Sequence, residues 1–103
     1  MSLLFKITKA TLVNDEEVQL VLPHTNDLKF LDILILRKNN IEEIMSIVRS
    51  IEHYNHYNIS IVYVGINPDL IDIDNNKLNE EISQYNQAEF FGCVTFINDK
   101  NEF

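Results

Sequence analysis

Residues 3–13 set Leu3, Phe5 and Ile7 against Lys6 and Thr8, and residues 17–22 set Val18, Leu20 and Leu22 against Glu17 and Gln19. A period of two with Asn14-Asp15-Glu16 between the halves predicts a β-hairpin with one solvated face. The stretch Pro23-His24-Thr25-Asn26-Asp27 has the composition of a turn and ends the hairpin. From Phe30 to Leu36 the chain is apolar on both parities, Ile33 and Ile35 alternating with Leu34 and Leu36. Ile59 to Ile66 has the same character, and Gly65-Ile66-Asn67-Pro68 marks its exit. Such strands are expected where a sheet is covered on both faces.

Between these strands the spacing changes. Ile41, Ile44, Met45, Val48 and Ile51 recur at helical intervals behind Asn40, which with Glu43 three residues on resembles a capping box. The pattern predicts an amphipathic helix running to about Tyr54 or Tyr57. A second helix is expected over Leu78, Ile82 and Tyr85, capped by Asn76, with Glu80 and Glu81 facing water. Residues 89–97 read as a closing strand, followed by a short polar tail.

The expected order is therefore an N-terminal β-hairpin followed by β-α-β-α-β, an α/β or α+β fold with a single sheet and helices packed on it. One domain spanning 1–103 is expected, because no linker or low-complexity tract interrupts the pattern. Hydrophobic residues make up 46% of the chain and fourteen of them are Ile, which excludes a disordered acidic tail.

Charge divides the chain unevenly. Residues 1–50 carry seven acids and six bases, net −1, whereas residues 51–103 carry nine acids against Lys77 and Lys100, net −7 of the total −8. Such a field favours cationic partners and repels nucleic acid and anionic lipid. The single Cys93 lies in an apolar run, which predicts a buried structural thiol and a reducing, cytoplasmic setting. No apolar run approaches the roughly 18 residues of a membrane-spanning helix, and no leader pattern opens the chain.

Candidate chemistry is sparse. In His53-Tyr54-Asn55-His56-Tyr57-Asn58 the two histidines would share a helix face, with Glu52 or Tyr57 to complete a metal set. A solvated helix end is the simpler reading, since no paired Cys or second His motif adds ligands. Asp72 to Asn76 spaces oxygens as a calcium loop would, but Lys77 stands at the position of the required Gly and Ser83 at that of the Glu. There is no G-x-S-x-G elbow, no Gly-rich phosphate loop and no H-E-x-x-H. His24 and Asp27 flank a loop where acid–base residues can sit.

The sequence thus predicts a non-enzymatic acidic inhibitor or immunity-type protein, without cofactor or metal, that binds a basic partner protein such as a nuclease toxin. In general character it is similar to small acidic bacterial immunity proteins and phage-encoded inhibitors, although no motif anchors a family. The expected partner-binding set is Glu52, Tyr54, Tyr57, Asp69, Asp72, Asp74, Glu80, Glu81 and Tyr85, tyrosine anchors among carboxylates. Phe90, Phe91, Phe96 and Tyr63 are expected in the core. Two other readings are a homo-oligomeric subunit or adaptor joined through an exposed sheet edge, and a small enzyme centred on His24, His53 or His56.

Overall fold

A computed structural model describes residues 3–38, 42–67 and 77–93. The alternating first segment forms three strands, β1 (Leu3–Lys6), β2 (Lys9–Asn14) and β3 (Glu17–Pro23), with the tight turn at Asp15 and Glu16 where turn chemistry placed it. Then follow β4 (Asp32–Lys38), β5 (Glu42–Tyr54), β6 (Ile59–Gly65), the short helix α1 (Leu78–Ile82) and β7 (Gln87–Cys93). All seven strands belong to one sheet of order β1-β7-β4-β5-β6-β3-β2, and every pairing is antiparallel.

This overturns the expected β-α-β-α-β architecture with helices on the sheet. The long helix expected after Asn40 is the 13-residue strand β5, hydrogen-bonded to β4 on one side and β6 on the other. A β-bulge is the reason for the misleading spacing. Val48 pairs with Val64 and Ser50 with Tyr63, so Arg49 is an extra residue and the inward parity changes there. Before the bulge Ile44, Ser46 and Val48 face inward; after it Ile51 pairs with Val62 and His53 with Ser60, both inward positions of β6. With Ser46 polar, the apolar inward residues of this strand fall at 44, 48 and 51, the i, i+4, i+7 spacing of a helix. The β-branched Ile and Val content suits the extended conformation.

The sheet's two ends meet. The Ile7 N–H donates to the Asn86 carbonyl (3.0 Å), beside β7, while the Thr8 N–H donates to the Val21 carbonyl of β3 (2.8 Å). Adjacent residues of one chain segment thus bond opposite edges of the sheet. The segment 3–14 bends between them, pairing with β7 through β1 and with β3 through β2, and the sheet curls into a barrel-like closure.

The inward face forms the core. Val18, Leu20 and Leu22 of β3, Leu34 and Leu36 of β4, Val48 of β5 and Val62 and Val64 of β6 are fully buried. Each large aliphatic side chain so buried contributes about 1.5–3 kcal/mol. Helix α1 adds Leu78 and Ile82, and the Leu12 N–H donates to Asn79 Oδ1 (3.1 Å), fastening the helix to β2. Lys38, at the end of β4, forms an ion pair with Glu81 that fastens it to the other side. Glu81 is therefore half-buried and paired rather than facing water as expected.

The outward face is not polar. Ile33 pairs with Ile47 and Ile35 with Met45, while Val21 pairs with Ile61, all with half-buried or exposed side chains. Doubly apolar strands were expected to be covered on both faces; among the described residues no helix lies on this one.

Candidate binding surface

Two surfaces stand out, one on each part of β5. At its C-terminal end, Glu52 and Tyr54 share the outward face, and the Tyr54 hydroxyl donates to Glu52 Oε1 (2.9 Å). That hydrogen bond, and next the charge of the same carboxylate, raises the Tyr54 phenol above its ordinary pKa. The following residues 55–58 make the turn into β6, in which the Tyr57 N–H donates to the Tyr54 carbonyl (3.1 Å). Asn58 adopts a positive φ of 57°, a conformation Asn tolerates better than most residues. The turn leaves Tyr57 75% exposed, more than any other large hydrophobic side chain described.

The histidines lie at this same end. His24 and His53 bring their rings to 5.1 Å, and His53 Nδ1 is 3.0 Å from Ser60 Oγ. Ser60 is buried, accepts the Thr25 N–H (3.1 Å), and ties the loop after β3 to the hairpin. The Asn58 carbonyl accepts the His24 N–H (2.9 Å) and completes that tie. His53 and His56, expected on one helix face, are separated by the turn, where the His56 ring meets Tyr57 edge-on at 6.5 Å. Asp27 closes a local turn with Thr25. Among the described residues no group of three or more His, Cys, Asp or Glu could hold a metal ion.

The described members of the expected partner-binding set do not come together on one face. Glu52, Tyr54 and Tyr57 form the cluster above. Glu80 and Glu81 lie on α1, which the Lys38 pair fastens near the β4–β5 connection, at the other end of β5. Tyr85 is only 3% exposed and belongs to the core, with Lys38 Nζ 5.9 Å from its ring centroid, so it offers no ring to a partner. Asp69, Asp72 and Asp74 lie outside the described residues, as do the expected caps Asn40 and Asn76 and Phe96. The backbone of Cys93 pairs with Asp32 at the end of β7. Of the aromatics expected in the core, Phe90 packs against it, Tyr63 is half-buried on the outward face beside Gln19, and Phe91 is exposed.

The second surface was not anticipated from sequence. Phe30, Leu31, Met45, Ile47, Arg49, Gly65, Ile66 and Asn67 line an open groove of about 620 Å³ on the outward side of β5 and β6. Its rim is held by the bulge. Leu31 has a φ of 76°, unusual for a branched residue, and its N–H donates to the Val48 carbonyl (2.9 Å). The buried Asp32 carboxylate accepts the Lys29 N–H (2.7 Å) and closes that turn from the other side. Arg49, the extra residue, lays its guanidinium over Gly65, where the missing Cβ leaves room.

At the start of β5 the outward charge is negative. Arg37 lies 3.0 Å from Glu43 and 2.6 Å from Glu89, two carboxylates around one cation. Arg37 Nε, which faces Glu43, and Glu89 Oε1, which faces Arg37 Nη2, are each at ion-pair distance without hydrogen-bond alignment. Among the described residues no helix is long and apolar enough to cross a membrane. Comparison with family models, curated proteins and solved structures finds no match for the chain.

Proposed function

We propose that the protein is a non-enzymatic binding domain of the inhibitor or immunity type, which engages a basic partner protein through the turn between β5 and β6. The observation that carries this reading is the Glu52–Tyr54 hydrogen bond beside the exposed Tyr57. Tyrosines with fixed, amphipathic rings and a carboxylate already oriented by one of them suit an interface with Lys and Arg side chains. The net charge of −8 would speed encounter with such a partner and disfavour nucleic acid or an anionic membrane. Blocking would be steric, the turn entering a cationic cleft of a nuclease or another nucleic-acid-handling protein.

The test is affinity capture on the immobilised protein from a lysate of its source, eluted by a salt gradient, with wild type compared with Glu52→Gln and Tyr57→Ala. A basic protein retained by wild type and released early from both variants supports the reading. Equal retention by all three, or retention only of acidic proteins, overturns it.

A further inference from the structure

The outward row of β5 reads Glu43, Met45, Ile47, Arg49: an acid, two apolar residues and a base. Strand rise of about 3.3 Å per residue places Glu43 roughly 10 Å to one side of the row's midpoint, and Arg49 lies on the other side, its guanidinium drawn over Gly65 opposite Ile47. A row with this order is complementary to itself when turned through 180° about that midpoint. Met45 and Ile47 then meet Ile47 and Met45 of another row, and each Arg49 meets a Glu43.

We propose that this outward face binds a second copy of the chain, forming a two-fold dimer in which the β5 strands cross face to face at Met45 and Ile47. The charges on the surrounding surface fit that occupant. Arg49 enters none of the ion pairs among the described residues, and Gly65 lets its guanidinium lie along the groove, at one end of the apolar patch. At the other end Glu43, Glu89 and Arg37 carry one excess negative charge. An isologous interface requires this kind of patch, in which one surface carries both members of each contact. The flanking Ile33, Ile35 and the 64% exposed Phe30 widen the apolar centre, and sheets packed about 10 Å apart leave side chains of this size room to interdigitate. β1 and β2 are short strands that end the sheet, whereas the outward face of β4 and β5 carries the larger apolar surface.

Salt separates this contact from binding to a basic partner. Two copies each carrying −8 repel at long range, so screening tightens a dimer centred on apolar contact, whereas it weakens attraction to a cation-rich protein.

The experiment is sedimentation equilibrium of the purified chain from about 5 to 500 µM, at low and physiological salt, a range that brackets micromolar association. Wild type is expected to approach twice its 12.1 kDa mass, more completely at the higher salt. Met45→Lys and Arg49→Glu, both at exposed positions, are expected to raise the dimer dissociation constant at least about tenfold while keeping wild-type circular dichroism. The double variant Glu43→Arg with Arg49→Glu restores the opposite charges across the dyad and is expected to regain dimerisation relative to Arg49→Glu. A monomer throughout the range, or a dimer unchanged by Met45→Lys and Arg49→Glu, overturns the proposal. So does a monomer that binds dodecanoate, with nuclear magnetic resonance shifts confined to Met45, Ile47 and Gly65, because the groove would then serve a small amphiphile.

Discussion

Arg49 lies flat against Gly65: a Cβ built on the glycine would come within 2.8 Å of the arginine's Cζ and Nη2. The two residues belong to neighbouring strands, and their contact exists because the bulge at Arg49 aims its side chain across β6. Gly65→Ala is therefore expected to displace the guanidinium rather than break the sheet, since the obstructing atoms are the far end of a flexible side chain. Stability should change by no more than about 1 kcal/mol in chemical denaturation. The Arg49 Nε–H resonance should shift in the same variant, and an unshifted resonance would show that the glycine does not place the arginine.

The turn at Leu31 depends on Asp32. Removing the carboxylate leaves the Lys29 N–H without its acceptor in a partly buried place. Asp32→Ala is expected to cost about 1–3 kcal/mol, with Asp32→Asn costing less because its side-chain carbonyl still accepts. Urea denaturation of the two variants checks the order, and equal losses would show that the hydrogen bond is not the cause.

Helix α1 has five residues and no side-chain N-cap, too short to persist without its attachments. Glu81→Gln keeps the shape but removes the Glu81 charge from its pair with the largely buried Lys38. A loss of about 1–3 kcal/mol is expected, together with faster amide exchange at Ser83, Gln84 and Tyr85, whose N–H groups donate into the helix. Exchange unchanged in that segment would show that the buried Leu78 and Ile82 and the Leu12–Asn79 bond hold the helix without the ion pair.

The Tyr54 phenol should titrate above the usual value near 10, as followed by absorbance near 295 nm. In Glu52→Gln it should fall back toward that value. The sign for stability follows: the folded state holds the phenolic proton more tightly, so the contribution is complete below the unfolded pKa and is lost as pH rises above it. Thermal unfolding followed from about pH 10 upward should therefore lose less in Tyr54→Phe than in wild type as pH increases. A wild-type phenol titrating at the ordinary value would refute the hydrogen-bond assignment.

Strands were readable from the sequence wherever inward and outward positions kept strict phase. β3 appears close to its expected bounds because Val18, Leu20 and Leu22 alternate with polar neighbours, β4 and β6 were legible instead as short runs apolar on both parities, and the expected first strand is divided at Ile7 and Thr8 into β1 and β2. The phase breaks at Arg49, and a break of one residue in a strand with Ser46 in its core is indistinguishable by periodicity from a helical turn. The capping-box resemblance of Asn40 and Glu43 reinforced the wrong choice. Of the expected site, the pairing of Glu52 with Tyr54 was within reach at strand spacing, since i and i+2 share a face. The groove was not, because Phe30, Met45, Arg49 and Gly65 are brought together only by pairings between β5 and β6 and by the turn before β4.

The seam at Ile7 and Thr8 makes the molecule a ring whose continuity rests on hydrogen bonds rather than a covalent cross-link. If residues 3–14 detach, β7 and β3 lose their outer neighbours in the same event, each exposing the backbone of a seven-residue strand. Those two strands would then be templates for intermolecular pairing, one at each end of the opened sheet, and such a species can polymerise head to tail. Protection of those two strands from fibre formation is thus vested in β1 and β2, far along the chain from the acidic half that keeps separate copies apart.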